Sequence, residues 1–317
     1  MALAFLFPGQ GSQSVGMLES LAAQCAVVEE TFAEASEVLK FDLWDVVANG
    51  PVEELNRTVV TQPAMLCADV AVWRVWRDRG GAVPQVMAGH SLGEYAALVC
   101  SGALSLDDAV RVVSQRASLM QSAVPEGAGA MAAVLGLDDD QVRSVCTAAA
   151  GTEVVEPVNF NAPGQVVIAG HRAAVERALA AAKAAGAKRA LLLPVSVPSH
   201  CRLMVPAAVP LAEALAAVSW HRPEVPVVNN ADVQAEMTPE RIRDALVRQI
   251  SRPVRWVETI TTLVTNYQVD SAVECGPGKV LTGLSKRIAR SLTMLPVSDP
   301  ASLEAALAAT EGGEHGR

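Results

Sequence analysis

The first apolar run along the chain, residues 3–7 (LAFLF), is short and ends at Pro8-Gly9, which predicts a buried strand. Residues 85–88 predict another strand that delivers the chain to Gly89. The apolar stretch 92–100 (LGEYAALVC) then predicts a helix. Ser105 and Asp108 form an S-x-x-D capping box ahead of a helical apolar period that runs to about residue 123.

Between residues 127 and 195 the pattern changes. Strands are predicted over 130–135, 153–159, 165–169 and 189–195, with helices over 138–149 and 172–185. That order is βαββαβ, the mark of a split-βαβ, ferredoxin-like unit. Helix–strand alternation then resumes, with helices over 200–218, 239–250 and 253–264 and strands over 225–229 and 271–275. The chain therefore reads as a large α/β domain, residues 1–126 and 196–317, interrupted by a small subdomain, residues 127–195. The last stretch, 311–317, is polar and glycine-rich, which predicts disorder. No internal repeat is present.

With 317 residues, the chain is long enough for such a two-part body. Half of it is hydrophobic, with few aromatics, which suits branched strands and alanine-rich helices. No uninterrupted apolar stretch approaches membrane-spanning length, and residues 1–7 lack the basic flank of a signal peptide. A soluble, cytoplasmic protein is the expectation. The net charge of −9 argues against a nucleic-acid partner. An acidic protein partner would need a local basic patch for docking. Six cysteines stand at 25, 67, 100, 146, 201 and 275 without CxxC or metal-like spacing, so reduced thiols and no metal are expected.

Chemistry concentrates at Gly89-His90-Ser91-Leu92-Gly93, a G-x-S-x-G between a predicted strand and a predicted helix. Such a turn exposes a serine hydroxyl at the positive end of a helix, and the N–H of Leu92 would face a developing oxyanion. An ordinary glycine-rich turn is the alternative. A nucleophilic serine needs a base. Of the five histidines, His171, His221 and His315 fall in polar surroundings, and His90 should point away from its neighbour Ser91. His200 follows the rigid segment PVSVPS and suits a base at a cleft edge better than a structural histidine. Cys201 has no evident base of its own.

The loop Phe7-Pro8-Gly9-Gln10-Gly11-Ser12-Gln13 lacks the features of a P-loop. It can instead offer a backbone N–H, such as that of Gln10, to an oxyanion. Arg116 lies in an apolar stripe with Val113, Ala117 and Met120. It either snorkels to solvent or meets an anion, as a clamp for a substrate carboxylate.

Taken together, these segments resemble the malonyl-CoA:acyl-carrier-protein transacylases of bacterial fatty acid synthesis. The likeness runs through FPGQGSQ (7–13), GHSLGEYAAL (89–98), Gln115-Arg116, VNFNAPGQVVIAG (158–170), PVSVPSHC (194–201), PVVNN (226–230), RQISRPVRW (248–256) and ECGPGKVLTGL (274–284). The resemblance implies an α/β-hydrolase-like large domain with an inserted ferredoxin-like subdomain. It implies malonyl-CoA and the phosphopantetheine arm of acyl carrier protein as partners, with no cofactor. By matching positions it makes Ser91 the nucleophile, His200 the base, Gln249 the orienter of His200, Gln10 and Leu92 the oxyanion donors, and Arg116 the site for the malonyl carboxylate. Asn159 and Asn161 fall near the expected path of coenzyme A. A polyketide-type acyltransferase, or a serine esterase or thioesterase, would share parts of this pattern.

Overall fold

The computed structural model describes residues 2–195 and 197–311. The tail expected to be disordered lies outside the described residues from 312 onward. Strands form in the order β1 (Leu3–Phe7), β2 (Val86–Gly89), β3 (Gly129–Leu135), β4 (Val155–Ala162), β5 (Gln165–His171), β6 (Arg189–Leu192), β7 (Val227–Val228), β8 (Ser271–Cys275) and β9 (Thr293–Val297).

They assemble into two sheets. The larger has the order β7-β2-β1-β8-β9, with every pairing parallel. Its central strands β1, β2 and β8 are buried along their whole length, as a parallel sheet covered on both faces requires. Alternate β1 side chains feed different cores. Phe5 and Phe7 join one cluster with Met87 and Val273, while Ala4 and Leu6 join another with Val86, Ala88 and Ala272.

The smaller sheet has the order β4-β5-β3-β6 and is antiparallel throughout. With helices Asp139–Ala150 and Arg172–Ala184, it realises the βαββαβ pattern and the ferredoxin-like strand order. One face packs on those two helices through Ala132, Val134, Val166 and Ile168. The other carries Met131, Val158, Val167 and Ala169, which pack with Cys201. Strand β4 of the small sheet is tied to the segment before the helix Trp256–Thr265, where Phe160 N–H donates to the Val254 carbonyl and Val254 N–H to that of Val158. Arg287 adds bonds to the Pro163 carbonyl and the Gln165 side chain.

Three local readings change. The span 200–218 is not one helix: a 3-10 turn, Arg202–Ala207, precedes the α-helix Ala208–Ala216, because Pro206 has no N–H to continue a regular ladder. The Ser105 hydroxyl caps the helix Leu106–Ser122 by accepting from Asp108 N–H. The reciprocal half of that capping box is absent, because the Asp108 carboxylate is taken by Arg111 and the Ser219 N–H. A reciprocal box forms instead on the helix Asp139–Ala150, between Asp138 and Gln141. The stretch between Phe7 and Val86, not assigned from sequence, is helical for much of its length, including the long buried helix Thr58–Asp78.

Because all five strands of the large sheet run the same way, β1, β2, β7 and β8 end on one edge, where ligand sites in such sheets form. Two glycines let the chain turn there. A Cβ on Gly89 would lie 1.9 Å from the Gly93 carbonyl carbon, and one on Gly93 would lie 2.1 Å from the Phe7 carbonyl oxygen. Both clashes are with backbone, which cannot rotate away. We therefore expect Gly93→Ala to destabilise the fold by about 3 kcal/mol or more, at the upper end of overpacking costs. Urea unfolding checks this, and an unchanged midpoint would contradict the packing described.

Candidate active site

Ser91 sits between β2 and the helix Gly93–Cys100, with a left-handed φ of 53°. For a residue with a Cβ that conformation costs on the order of 1–2 kcal/mol. Asn230, fully buried just beyond β7, holds it. The Asn230 side-chain oxygen accepts from Ser91 N–H at 2.6 Å, and its amide donates to the Gly89 carbonyl at 2.7 Å. Gln249 adds a bond from its amide to the Ser91 carbonyl at 3.0 Å. At about 1 kcal/mol each, three such bonds offset the strain.

The turn brings the Ser91 hydroxyl to 2.6 Å from His200 Nε2. His200 also has a left-handed φ, 63°, and lies in a turn rather than at the start of a helix, which corrects the reading from sequence. Its other nitrogen, Nδ1, lies 2.9 Å from the backbone carbonyl of Gln249. A carbonyl can only accept, so Nδ1 carries the proton and Nε2 is free to accept the serine hydroxyl. The resemblance drawn from sequence implies Gln249 as the orienter of His200. The contact runs through its main chain, which leaves the side chain free for other bonds.

Arg116, 1% exposed on the helix Leu106–Ser122, reaches the same point. Its Nη1 donates to Gln62 Oε1 at 2.7 Å. Its Nη2 donates to Gln249 Oε1 at 3.1 Å and to Ser91 Oγ at 3.3 Å. The guanidinium lies 5.5 Å from the centre of the Tyr95 ring, and its Nε has no partner. Every hydrogen-bond partner is neutral, so among the described residues this buried cation has no carboxylate in contact. Arg111, on the same helix, is exposed and pairs with Asp107 and Asp108.

Burial, and then the nearby Arg116 charge, push His200 down to about 3, against the opposing bond to the Gln249 carbonyl. The imidazole is therefore neutral at working pH. Neither Gln10 nor Leu92 gives its N–H to a backbone or side-chain acceptor among the described residues. The two loops are in close contact, since a Cβ on Gly9 would stand 3.8 Å from Leu92 N and 2.5 Å from the His90 carbonyl oxygen.

A cleft opens over Ser91, lined by Gln10, His90, Asn159, Asn161 and His200 on polar sides and by Met131 and Val167 of the small sheet, with Leu193 just past β6, on the apolar side. His90 does point away from the Ser91 hydroxyl, with its Nε2 2.8 Å from Asn161 Oδ1. Asn159 is buried with its Oδ1 unpartnered. The structure thus brings Ser91, His200, Arg116 and Gln249 into one bonded group, with Gln10 and Leu92 beside it.

The family model of the acyl transferase domain matches residues 4–305. The malonyl CoA-acyl carrier protein transacylase of Salmonella typhimurium is 59% identical over 304 residues, which is 96% of this chain and 98% of that protein. The chain belongs to the malonyl CoA-acyl carrier protein transacylases. Among solved structures, a malonyl-transacylase in complex with a type II PKS acyl-carrier protein is 56% identical. The match covers 98% of this chain and 100% of that one, with a TM-score of 0.96. An acyl carrier protein S-malonyltransferase from Vibrio cholerae is 57% identical over 96% of this chain and 99% of that one, with a TM-score of 0.93.

Reading the chain one segment at a time missed three members of the bonded group. Gln62 lies in the helix left unassigned, although an amide ahead of Pro63-Ala64-Met65-Leu66 is itself a signal of a buried polar role. Asn230 and Glu94 fall inside segments noted for their resemblance, without roles. Glu94 is 2% exposed and accepts from Gln249 Nε2 at 2.9 Å and Asn230 N–H at 2.8 Å. Cys201 is excluded as a nucleophile, since burial pushes its thiol up to about 12 and it donates to the Pro198 carbonyl.

His200 also links stability to pH. Its folded-state value lies below its ordinary value of 6.5, so the unfolded chain binds its proton first as pH falls. Its contribution is present above 6.5 and is lost progressively below it. Thermal unfolding of wild type and His200→Gln across that range checks this. The wild type should lose stability on acidification more steeply than the variant, and parallel curves would contradict a buried neutral imidazole.

Proposed function

We infer that this chain moves the malonyl group from malonyl-CoA to the phosphopantetheine thiol of acyl carrier protein, by a ping-pong route through malonyl-Ser91. The observation that carries the reading is a buried guanidinium without a counter-charge, 3.3 Å from a serine hydroxyl that also bonds a neutral histidine. Leaving a charge buried without an opposite charge is costly, and a substrate carboxylate supplies what Arg116 lacks.

The cycle needs no metal or redox group. His200 Nε2 takes the Ser91 proton while Oγ attacks the thioester carbonyl. The carbonyl oxygen becomes an oxyanion facing the N–H groups of Leu92 and Gln10, an interaction worth roughly 2.7–4 kcal/mol per donor in such sites. The tetrahedral intermediate collapses, the carbon–sulfur bond breaks, and His200 returns its proton to the coenzyme A sulfur. In the second half His200 takes the carrier thiol's proton, the sulfur attacks malonyl-Ser91, and the serine oxygen leaves with that proton. General base work of this kind contributes about 10²–10⁴-fold.

Arg116 tunes the base as well as the binding. Its charge is the second cause of the depressed His200 value. A malonyl carboxylate on the guanidinium cancels that charge, so His200 becomes more basic when the correct acyl group is seated. A serine esterase usually sets a carboxylate against the histidine's Nδ1, whereas here that atom meets a backbone carbonyl.

The small sheet over the cleft, residues 127–195, is read as a subdomain inserted into a large domain formed by 1–126 and 196–317. Asn159 and Asn161 on its β4 line the path for coenzyme A and then for the carrier arm. The described cysteines are all free thiols, and we assign the reaction to the cytoplasm, for fatty acid synthesis.

Arg116→Ala tests the assignment. Loss of a charge-assisted bond of about 1.5–3 kcal/mol should lower malonyl transfer roughly ten- to a hundredfold. Transfer of the neutral acetyl group should fall far less. Steady-state loading of acyl carrier protein from the two thioesters measures both. Equal losses would remove the clamp from the account.

A further inference from the structure

Three residues after the serine, Glu94 sits buried where the mechanism above gives it no task. Its Oε2 accepts from the Gln249 amide and from the Asn230 N–H, and Asn230 in turn holds Ser91. The Gln249 amide has three directed contacts. Its nitrogen donates to Glu94 and to the Ser91 carbonyl, and its oxygen accepts from Arg116 Nη2. Turned end for end, the amide would set N–H against guanidinium N–H, and oxygen against both the carboxylate and a carbonyl. A carboxylate accepts only, so an ionised Glu94 adds to the Arg116 and Ser91 contacts in favouring this orientation over the reversed one.

We propose that Glu94 is a positioning residue for acyl selectivity: it locks the Gln249 amide so that its oxygen aims the Arg116 guanidinium at the substrate carboxylate. The proposal rests on the reading of Arg116 as the malonyl clamp. Glu94 is not a direct ion-pair partner of Arg116. It acts one amide away, which leaves the guanidinium aimed yet free of a competing carboxylate. A carboxylate in direct contact would occupy the place the substrate needs.

The charges around Glu94 make the arrangement sensitive to pH. Burial pushes its carboxyl up to about 7, against the lowering by Gln249, Asn230 and the Arg116 charge, with Asp232 beyond β7 adding to the rise. Tyr95, the next residue on its own helix, stays neutral, with its hydroxyl pushed up to about 12. As pH falls through about 7, Glu94 gains a proton and loses its acceptor-only character, and the lock loosens.

The test measures kcat/KM for malonyl-CoA and acetyl-CoA with acyl carrier protein as acceptor, in wild type, Glu94→Gln, Gln249→Ala and the double variant. Glu94→Gln should lower the malonyl-to-acetyl ratio about fivefold, the difference between a charged and a neutral acceptor. It should lower that ratio no further in the Gln249→Ala background, where the His200 contact to the main-chain carbonyl is retained. A ratio unchanged by Glu94→Gln, or two losses that add in full, would overturn the proposal.

Arg116→Ala run in parallel separates the two readings. If that variant loses both acyl groups equally, the clamp itself fails. If it discriminates while Glu94→Gln does not, only the positioning role fails. Should Glu94→Gln not fold, the wild-type ratio between about pH 6 and about pH 8 decides. A fall toward acid supports the lock, and a flat ratio overturns it, because both thioesters share Ser91 and His200.

Discussion

The left-handed backbone at Ser91 is the constraint on which the site depends. A serine on a regular strand or helix would direct its hydroxyl along the element, into packed neighbours. Turned through a positive φ between β2 and the following helix, it stands clear, against His200 on one side and Arg116 on the other. The turn requires glycine at 89 and 93, because backbone passes where side chains would be. It also requires Asn230, arriving from the neighbouring strand, to hold the residue in place. Sheet order thus bears on chemistry: β7 must pair with β2 for Asn230 to reach the turn.

Much of the layout was legible in the sequence. The apolar run of β1 is continuous because both faces of a parallel sheet are covered, and such a run stands out. The small antiparallel sheet and its two helices were legible for a different reason, since the order βαββαβ runs through them with no other element between. The group Ser91, His200 and Arg116 could be picked out one by one, from a turn signal, a rigid segment and a charge in an apolar stripe. What bonded them to each other could not. Glu94, Asn230 and Gln249 are ordinary polar residues in sequence, and their bonding, like that of Gln62, becomes visible when four separate segments converge. Local propensity also misjudged 200–218, where Pro206 divides the helix and His200 takes a strained turn that no residue type announces.

Electrostatically the centre is unusual for a serine enzyme. The histidine is held by a carbonyl, and the buried carboxylate nearby touches an amide rather than the imidazole. Among the described residues the arginine is the full positive charge in contact with the nucleophile, and after burial it is the second influence that depresses the base. A neutral histidine beside an unpaired cation is poorly matched to a neutral acyl group and well matched to one that brings its own negative charge. On the proposed reading, selectivity and activation arise from the same contact rather than from separate parts of the site.

The most direct measurement is mass spectrometry of the protein after exposure to malonyl-CoA with no carrier present, followed by peptide mapping. The account predicts one malonyl group per chain, on the peptide bearing Ser91 and on its hydroxyl, and its disappearance when acyl carrier protein is added. Acyl mass on another residue, or carrier loading with no acylated protein at any time, would contradict it.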